Sequence, residues 1–344
     1  MEKIPANFPL CLAPMVGLSH VALREVCRSY LPEGAETLWW TEMLSSRRIP
    51  SENLSLTPET MKSEGDKGLV PQILGNEEKY IAPTVEKLIE WGAVAIDINM
   101  GCPVQKALKH NYGVALMGDP QYAAEVVRMT VSHSTVPVGV KLRAGLQNDF
   151  EYLENFILGL VDAGAAWICL HPRTSAQKRR GSADWEQIRL LKSKLSVPVI
   201  GNGDIQTAED VFAMQEQTGC DLVMSGRALA ARPWLLWQVG ERLGFAAPSA
   251  FGANSHAPQT PEEEGAEYGR CLKLLLELSV KYFGEELGLR KFRFHVKTTM
   301  VWLLFGQSLW AQTTKAKNHQ EMQGVLENFF SQPVEMVGRT ELRQ

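Results

Sequence analysis

A thiol held between a glycine and a proline is the first group here that could do chemistry: Cys102, in the run Asn99-Met100-Gly101-Cys102-Pro103. An unperturbed thiol has a pKa of about 8.5, so near neutrality it carries a proton that it can donate. The plain alternative is a small buried hydrophobe, and that reading suits Cys11, Cys27, Cys169, Cys220 and Cys271. Lys141 closes the otherwise apolar run Val136-Pro-Val-Gly-Val-Lys141. An ammonium there calls for an anionic or electron-rich partner, unless the side chain snorkels to water. Gly201-Asn202-Gly203-Asp204 and Ser225-Gly226-Arg227 form a second kind of site. Glycines let backbone N–H groups approach an oxyanion, and a following helix N-terminus adds a favourable dipole. The pair reads as a phosphate cradle with Arg227 as charge partner, although Gly-Asn-Gly alone is also an ordinary tight turn. Gln72, Asn99, Arg143, His171 and Arg173 add amide, guanidinium and imidazole groups.

These residues share a position: each ends, or lies near the end of, a short apolar run. The runs are Leu10–Met15, Leu38–Met43, Val70–Leu74, Val94–Asn99, Val136–Arg143, Ala166–His171, Val197–Gly201 and Leu222–Ser225. Several are apolar almost throughout, as suits strands buried on both faces of a parallel sheet. Helical patterns alternate with them at Glu77–Trp91, Pro120–His133, Phe150–Ala163 and Thr207–Thr218, the last opening on a Thr207/Asp210 cap. The pattern predicts an α/β fold, a (β/α)8 TIM barrel over residues 1–245, with its site at the strands' C-terminal ends. A doubly wound sheet is the competing arrangement, but GxGxxG after the first strand is absent. Residues Glu33–Gly68 read as an insertion at one barrel end. Residues 246–260, rich in Ala, Ser, Pro and Gly, read as a linker. Residues 261–344 read as a C-terminal all-helical domain, with helices at Glu262–Glu286, Phe292–Phe305, Ser308–Thr314 and Lys317–Phe330.

A formal net charge of -4 gives no global field for a polyanion, but local basic faces escape a whole-chain sum. Between Leu287 and Gln320 there is no Asp or Glu, while Arg290, Lys291, Arg293 and Lys297 are present. That favours phosphate contact over a solvated face. The neighbouring Phe292, Phe294 and Trp302 read as core. Lys178-Arg179-Arg180 forms a second cluster after the sixth run. The start of the chain does not resemble a signal peptide, and no apolar stretch is long enough for a membrane span. The cysteines are scattered without a CxxC pair, which speaks against a metal site or disulfide framework and for a reducing cytoplasm. Nothing in the sequence points to an obligate protein partner.

Together, Ala13-Pro14-Met15, PQILGN, DINMGCP, GVALMGDP, VKLRAG, HPRT…GSADW, GNGDI and SGRALAARPW resemble the bacterial tRNA-dihydrouridine synthases, from about Leu12 to Trp234. The most specific element is NMGCP followed by Gly113-Val-Ala-Leu. The resemblance implies FMN at the barrel mouth, with Pro14, Met15, Gln72, Lys141 and His171 at the ring. Asn202, Gly203, Asp204, Gly226 and Arg227 would hold the phosphate and ribityl end. It implies that NADPH, or alternatively NADH, reduces the flavin, that hydride passes to C6 of a uracil, and that Cys102 protonates C5. Asn99, Arg143 and Arg173 would bind the uracil, while the basic clusters bind tRNA. The family's usual valine a few residues after GCP is Ala107 here. Two rival readings are an FMN-dependent dihydropyrimidine or dihydroorotate-type dehydrogenase acting on a free base, and a non-catalytic tRNA-binding protein on a barrel scaffold. The basic tail disfavours the first, and the retained Cys102, Lys141 and His171 disfavour the second.

Overall fold

The structure is a computed structural model that describes residues 4–103, 109–178 and 180–341. Eight parallel strands close into a barrel in sequence order. They are β1 (Leu10–Leu12), β2 (Trp39–Ser45), β3 (Leu69–Leu74), β4 (Ile96–Met100), β5 (Val138–Arg143), β6 (Trp167–His171), β7 (Val199–Asn202) and β8 (Leu222–Ser225). Each expected run overlaps its strand, with the ends shifted by up to three residues. Strand alternation then decides the two faces. On β4, Ile96, Ile98 and Met100 face the helices as part of the large outer core, and the intervening Asp97 and Asn99 face inward. The barrel interior is filled by Cys11, Trp40, Val70, Trp167, Cys169, Ile200 and Met224, among others. Gly139, paired with Trp167 across β5 and β6, leaves room for that indole: a Cβ at 139 would lie 2.0 Å from Trp167 Nε1.

The outer helices are α1 (Val21–Arg28), α2 (Glu78–Glu90), α3 (Pro120–Ser132), α4 (Phe150–Asp162), α5 (Trp185–Lys194), α6 (Ala208–Thr218), α7 (Arg227–Ala231) and α8 (Leu235–Arg242). The Thr207/Asp210 capping box forms at α6. No α-helix joins β2 to β3. Residues 46–68, expected as part of an insertion at one barrel end, instead run down the outside where that crossover helix would lie. Asp66 pairs with Arg24 and Arg28 of α1. On the other side, Lys87 of α2 donates to the Ile49, Pro50 and Glu52 carbonyls. A parallel crossover must return along the barrel wall, and this one does so as irregular chain pinned between two helices.

The tail is helical, with the long α9 (Pro261–Thr299), α10 (Gly306–Thr313) and α11 (His319–Phe329). The two helices expected over Glu262–Glu286 and Phe292–Phe305 form one run, broken at Gly284, whose φ of 72° a glycine adopts without strain. Residues 246–260 are irregular but anchored, with Ala257 buried and Gln238 donating to the Pro258 carbonyl. Among the described residues the tail shares the barrel's core: Tyr268, Leu272 and Leu275 belong to the same cluster as Tyr30 and Trp234. Glu264 of α9 is buried against the barrel, where it pairs with Arg232 and accepts from Trp234 Nε1 at 3.1 Å. Removing one partner of a buried ion pair costs about 3–5 kcal/mol. Glu264→Ala should therefore lower the Tm by roughly 5–10 °C in a thermal melt; an unchanged Tm would show that the pair contributes nothing.

Candidate active site

The C-terminal ends of the strands surround a cavity of about 560 Å³. Pro14, Met15, Gln72, Asn99, Cys102, Lys141, Arg143, His171, Arg173, Asn202, Gly203, Asp204, Gly226 and Arg227 all line it. Residues scattered over more than two hundred positions of sequence therefore share one wall. The tail completes the rim with Phe294, Lys297 and Thr298.

The loop after β4 presents Cys102, which is 9% exposed, whereas the other cysteines are 0–5% exposed. Asn99 Oδ1 accepts from the Gly101 and Cys102 amides at 3.1 and 2.9 Å. From the other side the Val114 amide donates to the Cys102 carbonyl at 3.1 Å. Gly113 makes that approach possible, because a Cβ there would meet the same carbonyl at 2.5 Å. The spacing between NMGCP and Gly113-Val-Ala-Leu thus has a physical basis: the second segment supports the thiol loop.

Opposite, Lys141 Nζ donates to Asn202 Oδ1 at 3.0 Å, and Asn202 Nδ2 donates to the Met224 carbonyl at 2.7 Å. This ties β5, β7 and β8 together beside the Gly203 and Gly226 turns. Burial holds His171 well below the usual imidazole pKa, and Lys141, Arg143, Arg173 and Arg227 push it the same way. Arg173 Nη1 lies 3.3 Å from His171 Nε2. A guanidinium cannot accept, so Nε2 accepts, and the neutral ring keeps its proton on Nδ1. Asp97, under the cleft on β4, is pushed up to about 7, mainly by burial.

Several expected contacts take a different form. Arg173, expected at a uracil edge, is buried, with donors on Asp204, the Arg180 and Gly181 carbonyls and His171. Asp204, expected at the phosphate end, turns its carboxylate to Arg173 and the Ala183 amide. Gln72 and Asn99 direct their amides at each other. Lys291 was expected to lack acidic neighbours, yet it pairs with the buried Glu42 of β2. Arg293 donates to the Thr313 and Ala316 carbonyls, an internal tie of the tail. Both cations are thereby removed from the expected tRNA face, while Arg290 and Lys297 remain exposed. Lys178 and Arg180 are exposed beyond the cleft, and Arg179 lies outside the described residues. Of the aromatics, Phe292 and Trp302 are core, but Phe294 is 44% exposed, at the cleft rim.

Glu42, unread in the sequence, joins these parts. Its second oxygen accepts from the Gly17 amide at 2.6 Å, and the Phe294 ring occupies the space a Cβ on Gly17 would need. The tail is thus clamped on the β1 loop that floors the cleft. Among the described residues no group of His, Cys, Asp and Glu could hold a metal ion, and no helix is long and apolar enough to cross a membrane.

The family model described as Dihydrouridine synthase (Dus) matches residues 11–334. A probable tRNA-dihydrouridine synthase of Mycobacterium tuberculosis is 35% identical over 314 residues, covering 87% of this chain and 75% of its own. The tRNA-dihydrouridine synthase B of Pseudomonas aeruginosa is 30% identical over 323 residues, covering 94% and 93%. Among solved structures, a histamine dehydrogenase from a Rhizobium species superposes with a TM-score of 0.52 at 14% identity, over 69% of this chain and 46% of that one. That last likeness concerns the barrel fold alone.

Proposed function

The chain belongs to the dihydrouridine synthase family, and from that premise we propose that it reduces the C5–C6 double bond of uridines in tRNA. In this reading FMN occupies the cleft, NADPH is the reductant, and Cys102 is the proton donor. The observation that carries it is the meeting of Cys102, Lys141, His171 and the Gly203 and Gly226 turns in one cavity.

The residues present fit FMN. The cavity has the size of a cofactor pocket. At Gly203 the chain adopts a φ of 120°, and a Cβ would fall 2.8 Å from the His171 ring, so bare backbone borders the anion end. The cations Lys141, Arg143 and Arg227 line the same cavity. Bound there, FMN would supply the hydride that adds to C6 of the uracil. The chain's own groups do the rest. Cys102 gives its proton to C5 and is left as thiolate, which a solvent proton restores. His171 offers a neutral N–H donor, and Lys141 offers positive charge where the cofactor's ring becomes electron-rich. Gln72 and Asn99 hold the thiol loop, while Arg173 and Asp204 brace the imidazole and the Gly203 turn. A uridine must leave its stack to enter such a cleft. Lys178, Arg180, Arg290 and Lys297 are the exposed cations that would meet the tRNA backbone around it, while Arg143, which donates to the Gly101 and Lys178 carbonyls, stays at the cleft wall. Residues 261–344 act as the tRNA-binding part, docked on the barrel.

The purified protein should be yellow and should convert uridine to dihydrouridine in transcript tRNA with NADPH. Reduction of free uracil but not of tRNA would overturn the reading. Lys297→Glu should weaken tRNA binding about tenfold and lower the slope of log K against log salt by roughly 1, as for a lost phosphate contact. Lys291→Met should leave that slope unchanged; the reverse pattern would move the tRNA path off the Lys297 rim.

A further inference from the structure

Side-chain hydrogen bonds under the cleft form a continuous chain that ends at the thiol loop and starts at a residue outside the cavity lining, Asp97. We propose that Asp97 is a positioning residue for Cys102: through the amides of Gln72 and Asn99, it fixes the orientation in which Asn99 holds the Cys102 loop. The proposal rests on the reading of Cys102 as the proton donor.

An ionised carboxylate only accepts, so Gln72 must turn Nε2 toward Asp97 Oδ2, 2.6 Å away. Gln72 Oε1 then faces Asn99 and accepts from its Nδ2 at 2.7 Å. That leaves Asn99 Oδ1 for the loop, where it receives the Gly101 and Cys102 amides. Backbone N–H groups can only donate, so the far end demands the same order. Neither amide can flip without setting donor against donor or acceptor against acceptor, which is costly when buried.

Position and charge agree with this role. Asp97 and Asn99 share the inward face of β4, and Gln72 is the register partner of Asp97 on β3. Asp97 is fully buried, beside the apolar Trp40, Val70 and Ala95 of the barrel interior. A carboxylate is an expensive way to fill such a space. Burial opposes its charged form, while the Gln72 hydrogen bond, Lys141 and the Trp40 indole favour it. The titration near 7 keeps the acceptor-only form populated at mildly alkaline pH.

The test compares two near-isosteric replacements at pH 8. Asp97→Leu fills the space and cannot accept, whereas Asp97→Asn still accepts through Oδ1. The first readout is the rate of Cys102 alkylation by iodoacetamide, followed peptide by peptide in a mass spectrometer. The deeply buried Cys11, Cys27 and Cys169 report that the fold is intact. Asp97→Leu should speed Cys102 alkylation at least about fivefold, and Asp97→Asn should stay within about twofold of wild type. On transcript tRNA, Asp97→Leu should lower kcat about tenfold or more with KM within about twofold. Gln72→Met, which removes the middle of the chain, should reproduce the alkylation change, and the double variant should add nothing further. If Asp97→Leu fails to fold, Gln72→Met decides alone. Unchanged alkylation in the variant that folds, or equal disturbance in Asp97→Leu and Asp97→Asn, overturns the proposal. The alkylation series needs neither flavin chemistry nor tRNA, so its failure is distinct from failure of the proposed function.

Discussion

Cys102→Ala is expected to keep FMN at the wild-type ratio and to lose uridine reduction by about 10²–10⁴-fold, the usual contribution of a positioned proton donor. The loss should be confined to one half of the reaction. The loop is held by its backbone, through Asn99 Oδ1 and the Val114 amide, so removing the thiol leaves the cleft's shape in place. Of the groups assigned to the cofactor, Lys141, His171 and Asn202 stand on β5, β6 and β7 and are held by Asn202, Arg173 and the Met224 carbonyl. NADPH should therefore still reduce the bound cofactor at the wild-type rate, measured by bleaching of the flavin absorbance without tRNA. Single-turnover transfer to transcript tRNA should be slow. Cys102→Ser should resemble alanine, because a hydroxyl is a far weaker acid than a thiol. Full turnover in either variant would return Cys102 to the status of its five buried counterparts.

Much of the site was readable because barrel strands present their last inward residues to one mouth. Once the runs were placed, Lys141, His171, Asn202 and Gly226 had to converge, whatever their distance in sequence. What could not be read depends on partners that sequence proximity does not supply. The tail looked free of acidic neighbours, but Lys291 takes its carboxylate from Glu42, 249 positions away. A local charge count cannot see a partner that arrives from the barrel. The same blindness hid how the C-terminal helical region is anchored: Glu264 is buried against Arg232 and Trp234, and Cys271 against Tyr30. Deleting the tail would strip the barrel of core as well as of the proposed tRNA contacts.

Residues 46–68 were misread for a different reason. Their lack of helical period suggested an added segment, although the chain there replaces a helix and draws its order from Asp66 and Lys87. Phe294 was misread because the period of α9 does not announce which turn faces the cleft. Asp97 did leave a signal. Two residues before Asn99, it must share that residue's face, and an acid on the inward face of a barrel strand needs an explanation. It lies one layer beneath the strand ends, outside the cavity lining.

Gly203→Ala is the second substitution expected to have a large effect, and it should act on cofactor retention. The φ of 120° at Gly203 lies where L-residues rarely go, and such strain costs about 1–3 kcal/mol. The added Cβ would also lie 2.8 Å from His171 Cδ2 and 2.9 Å from Ala183 Cβ. Neither neighbour can easily yield. The His171 ring is fixed by Arg173, which is held by Asp204 and two carbonyls, and Asp204 also holds the Ala183 amide. Trp185 Nε1 pins the Gly203 carbonyl at 3.0 Å. The turn itself must therefore move, and with it the backbone that borders the anion end. FMN affinity should fall about 100-fold or more, equivalent to about 2.7 kcal/mol, read as flavin lost on gel filtration and as a raised Kd in fluorescence titration of the apoprotein. At Gly226 the tightest contact of a Cβ would be the thioether of Met15, at 3.2 Å, with Ala13 Cβ at an ordinary 3.6 Å, so Gly226→Ala should lose less. If Gly203→Ala held FMN with the wild-type Kd, the phosphate would have to bind elsewhere in the cleft, and the assignment of the β7 turn to it would fail.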